Sequence, residues 1–122
     1  MTTDKMVFRS VYVDPDVDQA LRAQAAESGV SKGEMFRTYL AKGMRSKRAA
    51  GMQLDAGVTL AMRTVYLPAE VDDELRTRAF MLRTTKSDLI RKYLWAGMTA
   101  LQRAAQGSAR TRTRHQTSNR SR

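Results

Sequence analysis

Cationic side chains are the residues of this sequence best suited to chemistry, and the chemistry they suit is the binding of a polyanion. The chain of 122 residues carries 22 Lys and Arg against 12 Asp and Glu, a formal net charge of +10. Half of this charge lies in the last 16 residues, which contain no acid. The arginines there are Arg110, Arg112, Arg114, Arg120 and Arg122. We expect residues 106–122 to form a disordered basic tail, because so polar a segment cannot bury enough apolar surface to become ordered.

The residue types that most catalytic and metal sites need are scarce. The sequence has no Cys and a single His, His115. Disulfides, thiolate ligands and cysteine nucleophiles are therefore excluded, and one histidine provides too few ligands for a zinc or haem site. We predict that the protein is not an enzyme and binds no metal or cofactor. Because the sequence lacks both a signal peptide and a run of roughly 20 apolar residues, we expect a cytoplasmic protein with no membrane partner.

An internal repeat organises the chain. Residues 8–44 align without a gap to residues 62–98 at a constant offset of 54, with 14 identities in 37 positions. The identities include apolar and charged residues alike, which shared composition does not explain. We interpret the chain as a duplication. Its predicted divisions are a first repeat (8–44), a linker (45–61), a second repeat (62–105) and the tail (106–122).

Each repeat predicts one strand followed by two helices. Residues 9–13 and 63–67 are rich in β-branched side chains and alternate between two faces, as strands do, with Val11 and Val13 or Val65 and Leu67 on the inward face. A first helix follows each strand, with Asp14 as the side-chain acceptor at one N-cap. A second helix begins at Ser31 or Thr85, each followed three residues later by an acid that completes a capping box.

The two repeats are expected to form one domain. A single strand with two helices would leave a strand edge unpaired and apolar helix faces uncovered. Both problems disappear if the strands pair antiparallel and the four helices close one core. The predicted fold is therefore mainly α with a two-stranded antiparallel β-ribbon, pseudo-twofold, and complete in a monomer.

A group of three acids in the second repeat resembles a carboxylate site. Asp72, Asp73 and Glu74 follow the start of the first helix of that repeat. Acids are favoured there by the helix dipole. We therefore expect a solvated helix face and no catalytic carboxylates.

The second repeat resembles the ribbon-helix-helix pattern of the Arc/MetJ type. Its strand ends in Leu67-Pro68, apolar residues follow three, seven and eleven positions after the proline, and the capped helix contains Leu-Ile-Arg at 89–91. The first repeat fits the same frame with Asp14 in place of Pro68. Two copies in one chain are similar to the TraY-like accessory proteins of conjugative plasmids. The resemblance implies that double-stranded DNA is the partner and that the paired strands lie in its major groove.

The resemblance also implies which residues contact DNA. The base-reading positions correspond to Ser10, Tyr12, Thr64 and Tyr66, whose hydroxyl groups can exchange hydrogen bonds with base edges. Cross-strand packing is the alternative role for the two tyrosines. The positions next to helix starts that suit a phosphate are Ser31, Lys32, Thr85 and Lys86.

Arg9 and Arg63 leave two interpretations open. Both lie on the core-facing side of their strands but near the strand start. A long side chain there can curl outward to a phosphate or a guanine edge. Contact with DNA and a role confined to the protein are equally compatible with the sequence.

Three functions follow from the resemblance. The first is a transcriptional repressor that occludes its promoter, and the second is a relaxosome accessory protein that binds a plasmid transfer origin with a relaxase as its partner. Unequal ribbon residues, Ser10 against Thr64, suit a non-palindromic site and favour the second. The third, an antitoxin, usually needs apolar anchors that the tail lacks. Self-association on DNA is left open.

Overall fold

The computed structural model describes residues 5–98. Its elements in chain order are β1 (Met6–Val13), α1 (Pro15–Ser28), α2 (Lys32–Met44), a 3₁₀ helix (Lys47–Gly51), β2 (Ala61–Pro68) and α3 (Ala69–Met81). A fourth helix, α4, occupies residues 86–98, as far as the description extends. The predicted end of the second repeat, 99–105, and the predicted tail, 106–122, lie outside the described residues. Within 5–98, no helix is both long enough and apolar enough to cross a bilayer.

The two strands form an antiparallel ribbon, which confirms the predicted pairing. Met6 lies opposite Pro68 at one end and Val13 opposite Ala61 at the other. Both strands are longer than the predicted segments, 9–13 and 63–67. The extra residues are stabilised by the ladder itself, because each pairing satisfies backbone N–H and C=O groups that the sequence pattern does not show.

One face of the ribbon belongs to the hydrophobic core. Val11, Val13, Val65 and Leu67 are at most 7% exposed, whereas the residues between them point away from the helices. This confirms the predicted inward face. Each second helix also buries an apolar stripe, which consists of Met35, Phe36, Tyr39 and Leu40 in α2 and of Leu89, Ile90, Tyr93 and Leu94 in α4. Residues from both strands and all four helices thus share one core.

Helices α2 and α4 approach each other closely at two glycines. A Cβ atom added to Gly43 would lie 1.8 Å from the carbonyl oxygen of Tyr93, and one added to Gly97 would lie 2.1 Å from that of Tyr39. The two helix backbones are therefore in direct contact. Any larger residue at either position would force them apart.

The predicted N-caps of α2 and α4 are confirmed, but the predicted role of Asp14 is wrong. The Ser31 hydroxyl accepts a hydrogen bond from the Glu34 amide at 3.1 Å, and Thr85 caps α4 in the same way at 3.0 Å. Asp14 occupies the N-cap position of α1, yet its side chain makes no capping bond. Its carboxylate instead accepts two hydrogen bonds from Arg91, at 2.9 and 2.8 Å, because a bidentate guanidinium is the stronger partner.

The turns that end α1 and α3 have the same geometry but different residues. Gly29 has φ 71° and Arg83, 54 residues later, has φ 56°. The left-handed conformation costs a residue with a Cβ atom roughly 1 kcal/mol and costs glycine nothing comparable. We therefore expect Arg83→Gly to raise the free energy of unfolding by about 0.5–1 kcal/mol and Gly29→Ala to lower it by about 1 kcal/mol. Urea denaturation measures both changes, and a lower stability of Arg83→Gly contradicts the prediction.

Candidate nucleic-acid interface

The outer face of the ribbon brings together the four residues predicted to read bases. Ser10 and Thr64 lie opposite each other in the ribbon and both are exposed. Tyr12 and Tyr66 flank this pair on the same face, with 46% and 54% of their surface exposed. Alternation along a strand puts every second side chain on one face, so four hydroxyl groups share a single surface.

Two further large side chains lie next to the tyrosines on this face, and Met6, 39% exposed, lies beyond Phe8 at the end of the ribbon. Phe8 is paired with Tyr66 and Met62 with Tyr12, and each of the two additional residues is 53% exposed. The rings of Phe8 and Tyr66 pack at a tilt with their centroids 4.7 Å apart. These two residues were not predicted, because the predicted strands begin at residues 9 and 63, one position after Phe8 and Met62. The signal that identifies them is the same alternation, continued one step toward the start of each strand.

We call this surface the ribbon face. Its members are Phe8, Ser10, Tyr12, Met62, Thr64 and Tyr66. The packing of Phe8 on Tyr66 shows that a tyrosine here contributes to cross-strand packing. Since both tyrosines remain half exposed, such packing does not remove them from the surface.

Arg9 and Arg63 each contact a buried carboxylate that is distant from them in the sequence. Arg9 donates to Asp72 from Nε at 3.3 Å and from Nη2 at 3.1 Å. Arg63 donates to Asp18 at 3.2 and 3.0 Å through the corresponding atoms. Each guanidinium also donates to the backbone carbonyl of the residue before it. The structure thus holds both groups beside α1 and α3, although about 40% of each side chain is exposed.

The lysines predicted to bind phosphate reach the same two carboxylates. Lys32 forms an ion pair with Asp18, and Lys86 forms one with Asp72. An arginine one helical turn beyond each aspartate completes the group. We call the two groups the Asp18 cluster and the Asp72 cluster. They consist of Asp18, Arg22, Lys32 and Arg63, and of Asp72, Arg76, Lys86 and Arg9, respectively.

The clusters keep both carboxylates ionised in spite of their burial. Burial alone would raise the pKa of Asp18 and of Asp72. Hydrogen bonds from the lysine and the strand arginine, together with their positive charges, outweigh that effect and hold each pKa below its ordinary value. Three cations around one carboxylate give each cluster an excess of positive charge.

The expectation of a solvated acidic face is wrong for Asp72 and correct for its neighbours. The Asp72 side chain is only 2% exposed, whereas that of Asp73 is 72% exposed and that of Glu74 is 50% exposed. The position near the helix start would suit either environment. Burial became possible because Arg9, 63 positions earlier in the chain, donates two hydrogen bonds to one oxygen of the carboxylate.

The predicted phosphate positions lie at the beginnings of α2 and α4. Ser31 and Thr85 use their side chains as caps, and the lysine that follows each of them is partly exposed while paired to its aspartate. Helix starts carry backbone N–H groups without an intrahelical acceptor, and they attract anions. The predicted arginines of the tail, 110–122, lie outside the described residues.

Comparisons with protein-family models, with curated proteins and with solved structures found no match for this chain. The ribbon face and the two clusters are therefore the features from which a function can be inferred.

Proposed function

We propose that the protein binds double-stranded DNA sequence-specifically through its ribbon and acts as a transcriptional repressor by occupying a promoter. The single observation that carries the proposal is the ribbon face, an exposed surface on a two-stranded antiparallel ribbon whose other face is buried in the core. The major groove is about 12 Å wide and admits such a ribbon. Paired strands lie about 5 Å apart, so both can enter the groove together.

The proposal includes a tandem ribbon-helix-helix architecture. The order strand, helix, helix occurs twice, and the strands of the two units pair with each other. The ion pairs Arg9–Asp72 and Arg63–Asp18 correspond to each other, because the two arginines are 54 positions apart and so are the two aspartates. These corresponding contacts support two equivalent units in one chain. A single chain could then form the paired ribbon that would otherwise require two chains.

Charge provides the attraction that brings the protein to DNA. The net charge of +10 favours any nucleic acid and makes binding dependent on salt. The starts of α2 and α4, with Lys32 and Lys86, are proposed to contact phosphates and fix the orientation of the ribbon. Selection of a particular site then depends on the ribbon face, which carries no charge.

A role at a plasmid transfer origin is the second candidate. The ribbon face ends in Phe8 with Tyr66 on one side and in Met62 with Tyr12 on the other. A palindromic operator presents the same base groups to both ends of the ribbon. A ribbon whose two ends carry different side chains is better matched to a non-palindromic sequence. This asymmetry favours an asymmetric site of the kind that a relaxase partner would share.

The proposal is tested by selecting duplex sites from a random library with the full chain and then measuring affinity for the selected site and for random DNA. We expect Ser10→Ala with Thr64→Ala to lower the ratio of these affinities by about tenfold or more, because a base contact contributes about 1–3 kcal/mol of discrimination. Affinity for random DNA should change little, since phosphate contacts remain.

The matched control is Ser28→Ala with Thr77→Ala, which removes the same two hydroxyl types from exposed helical positions. It should leave the ratio unchanged. If the wild-type chain binds random duplex as tightly as any selected site at physiological salt, sequence-specific binding is wrong. If the ribbon variant keeps full discrimination, readout by the ribbon is wrong.

A further inference from the structure

We propose that the ribbon recognises thymine methyl groups, so that its preferred site carries A·T base pairs under both ends of the ribbon face. This inference rests on the proposed DNA binding and adds the base chemistry that is read. Its starting point is the composition of the ribbon face. Phe8, Tyr12, Met62 and Tyr66 expose between 46% and 54% of their surface. A protein surface rarely leaves so many large apolar groups together in water without a binding role.

The side chains that read the other bases are missing from the ribbon face. Guanine is commonly read by arginine or lysine, adenine by asparagine or glutamine, and cytosine by aspartate or glutamate. The six members of the ribbon face include none of these types. Thymine differs from the other three bases in presenting a methyl group in the major groove, and apolar side chains recognise it by contact.

Three arginines next to the ribbon face form hydrogen bonds within the protein. Arg9 and Arg63 each donate two hydrogen bonds to a buried aspartate on the core side of the ribbon. Arg37 donates to the backbone carbonyl of Tyr66 at 3.2 Å. Turning any of these guanidinium groups toward a guanine edge would compete with these bonds. The chemistry that the ribbon offers without rearrangement is therefore apolar, with hydroxyl groups at its centre.

The apolar residues form two groups separated along the ribbon. Phe8 with Tyr66 lies at one end and Tyr12 with Met62 at the other, with the Ser10 and Thr64 pair between them. Four residues of a strand span about 13 Å, which corresponds to roughly four base-pair steps of about 3.4 Å. We therefore expect the critical thymines to fall in two groups about four base pairs apart, on either side of pairs contacted by the hydroxyl groups.

The test uses the full chain and its best site selected from a random duplex library. Each thymine is replaced in turn by deoxyuridine, which removes the methyl group and keeps the hydrogen-bonding edge. Kd is measured at constant salt by fluorescence anisotropy. We expect about a fourfold loss of affinity for each critical thymine, the equivalent of burying one methyl-sized apolar group. Replacement of thymines outside the contacted base pairs should leave Kd unchanged.

Variants of the protein test which end of the ribbon face contacts which thymines. Phe8→Ala should weaken binding to the thymine site and abolish its sensitivity to deoxyuridine at one end of the site only. Phe80→Ala is the matched control, because Phe80 is exposed but belongs to the last turn of α3 and not to the ribbon face. It should leave both the affinity and the deoxyuridine effects unchanged.

The possible failures are distinguishable. Site-specific binding with no effect of deoxyuridine at any position, or with selected sites rich in G·C pairs under the ribbon, overturns the thymine inference and leaves the proposed function standing. Absence of any preferred duplex overturns the proposed function and the thymine inference together.

Discussion

Replacing Gly43 by alanine is expected to lower the free energy of unfolding by about 3 kcal/mol or more, at the upper end of the range for overpacked cores. The Cβ atom of the added methyl group would lie 1.8 Å from the carbonyl oxygen of Tyr93 and 2.4 Å from its carbonyl carbon. These are backbone atoms of α4, so a side-chain rotation cannot relieve the overlap. The two helices would have to separate, and apolar contacts along α2 and α4 would be lost with them.

Gly33→Ala is the matched control, because Gly33 lies in the same helix. A Cβ atom there would meet the Nη1 atom of Arg37 at 3.4 Å, an ordinary contact with a flexible side chain. Alanine is the better helix former, so this variant should equal the wild type or exceed it by up to about 1 kcal/mol. Urea denaturation followed by circular dichroism measures both. A Gly43→Ala protein within about 0.5 kcal/mol of the wild type contradicts direct contact between the helix backbones.

The variant Gly97→Ala provides an independent check on the same crossing. Its Cβ atom would lie 2.1 Å from the carbonyl oxygen of Tyr39, which makes the two glycines neighbours in one contact. Because the first alanine already separates the helices, the second has less to displace. The double variant should therefore lose less stability than the sum of the two single losses. Strict additivity would indicate that the two sites do not share a contact.

The strands, the inward ribbon face and the caps of α2 and α4 could be predicted because each depends on residues close in sequence. A period of two places Val11 and Val13 on one face whatever the strand pairs with. A cap requires only a hydroxyl residue and an amide three positions later, as at Ser31. Such features were predicted correctly because no distant residue competes for the groups that form them.

The ion clusters could not be predicted because their partners are distant in the chain. Arg9 and Asp72 are 63 positions apart, and nothing local shows that they meet. One sign of the clusters is visible in the sequence. Each acidic or basic residue of one cluster has the same residue type 54 positions away in the other cluster. Asp14 shows the same limit, because its cap position was evident but its contact with Arg91, 77 positions away, was not.

Replacing Asp72 by asparagine is expected to lower the free energy of unfolding at pH 7 by about 2–3 kcal/mol. The carboxylate is 2% exposed and accepts from Arg9, Arg76 and Lys86. Asparagine is similar in shape but turns an amide donor toward these cations and supplies no negative charge. The loss stays below that for a fully buried charge cluster, because the three cations are 28–58% exposed and can turn toward water.

Asp73→Asn is the matched control one residue away. The Asp73 side chain is 72% exposed and its bond to Arg76, at 2.9 Å, is a surface ion pair. Such pairs contribute little, so the control should lose less than about 0.5 kcal/mol. Equal losses for the two variants would contradict a special role for the buried carboxylate and would leave only an effect of net charge.

The loss in Asp72→Asn should depend on pH, with a sign fixed by the lowered pKa of Asp72. A carboxyl group whose pKa is lower in the folded state stabilises the fold fully above its unfolded pKa of about 3.9 and loses that contribution as pH falls through the folded pKa. The gap between wild type and variant should thus be constant near neutral pH and shrink below about pH 4. Urea denaturation at a series of pH values measures the gap. A gap that widens in acid would mean that the folded protein holds Asp72 with a raised pKa and that the cations of its cluster do not stabilise the charge.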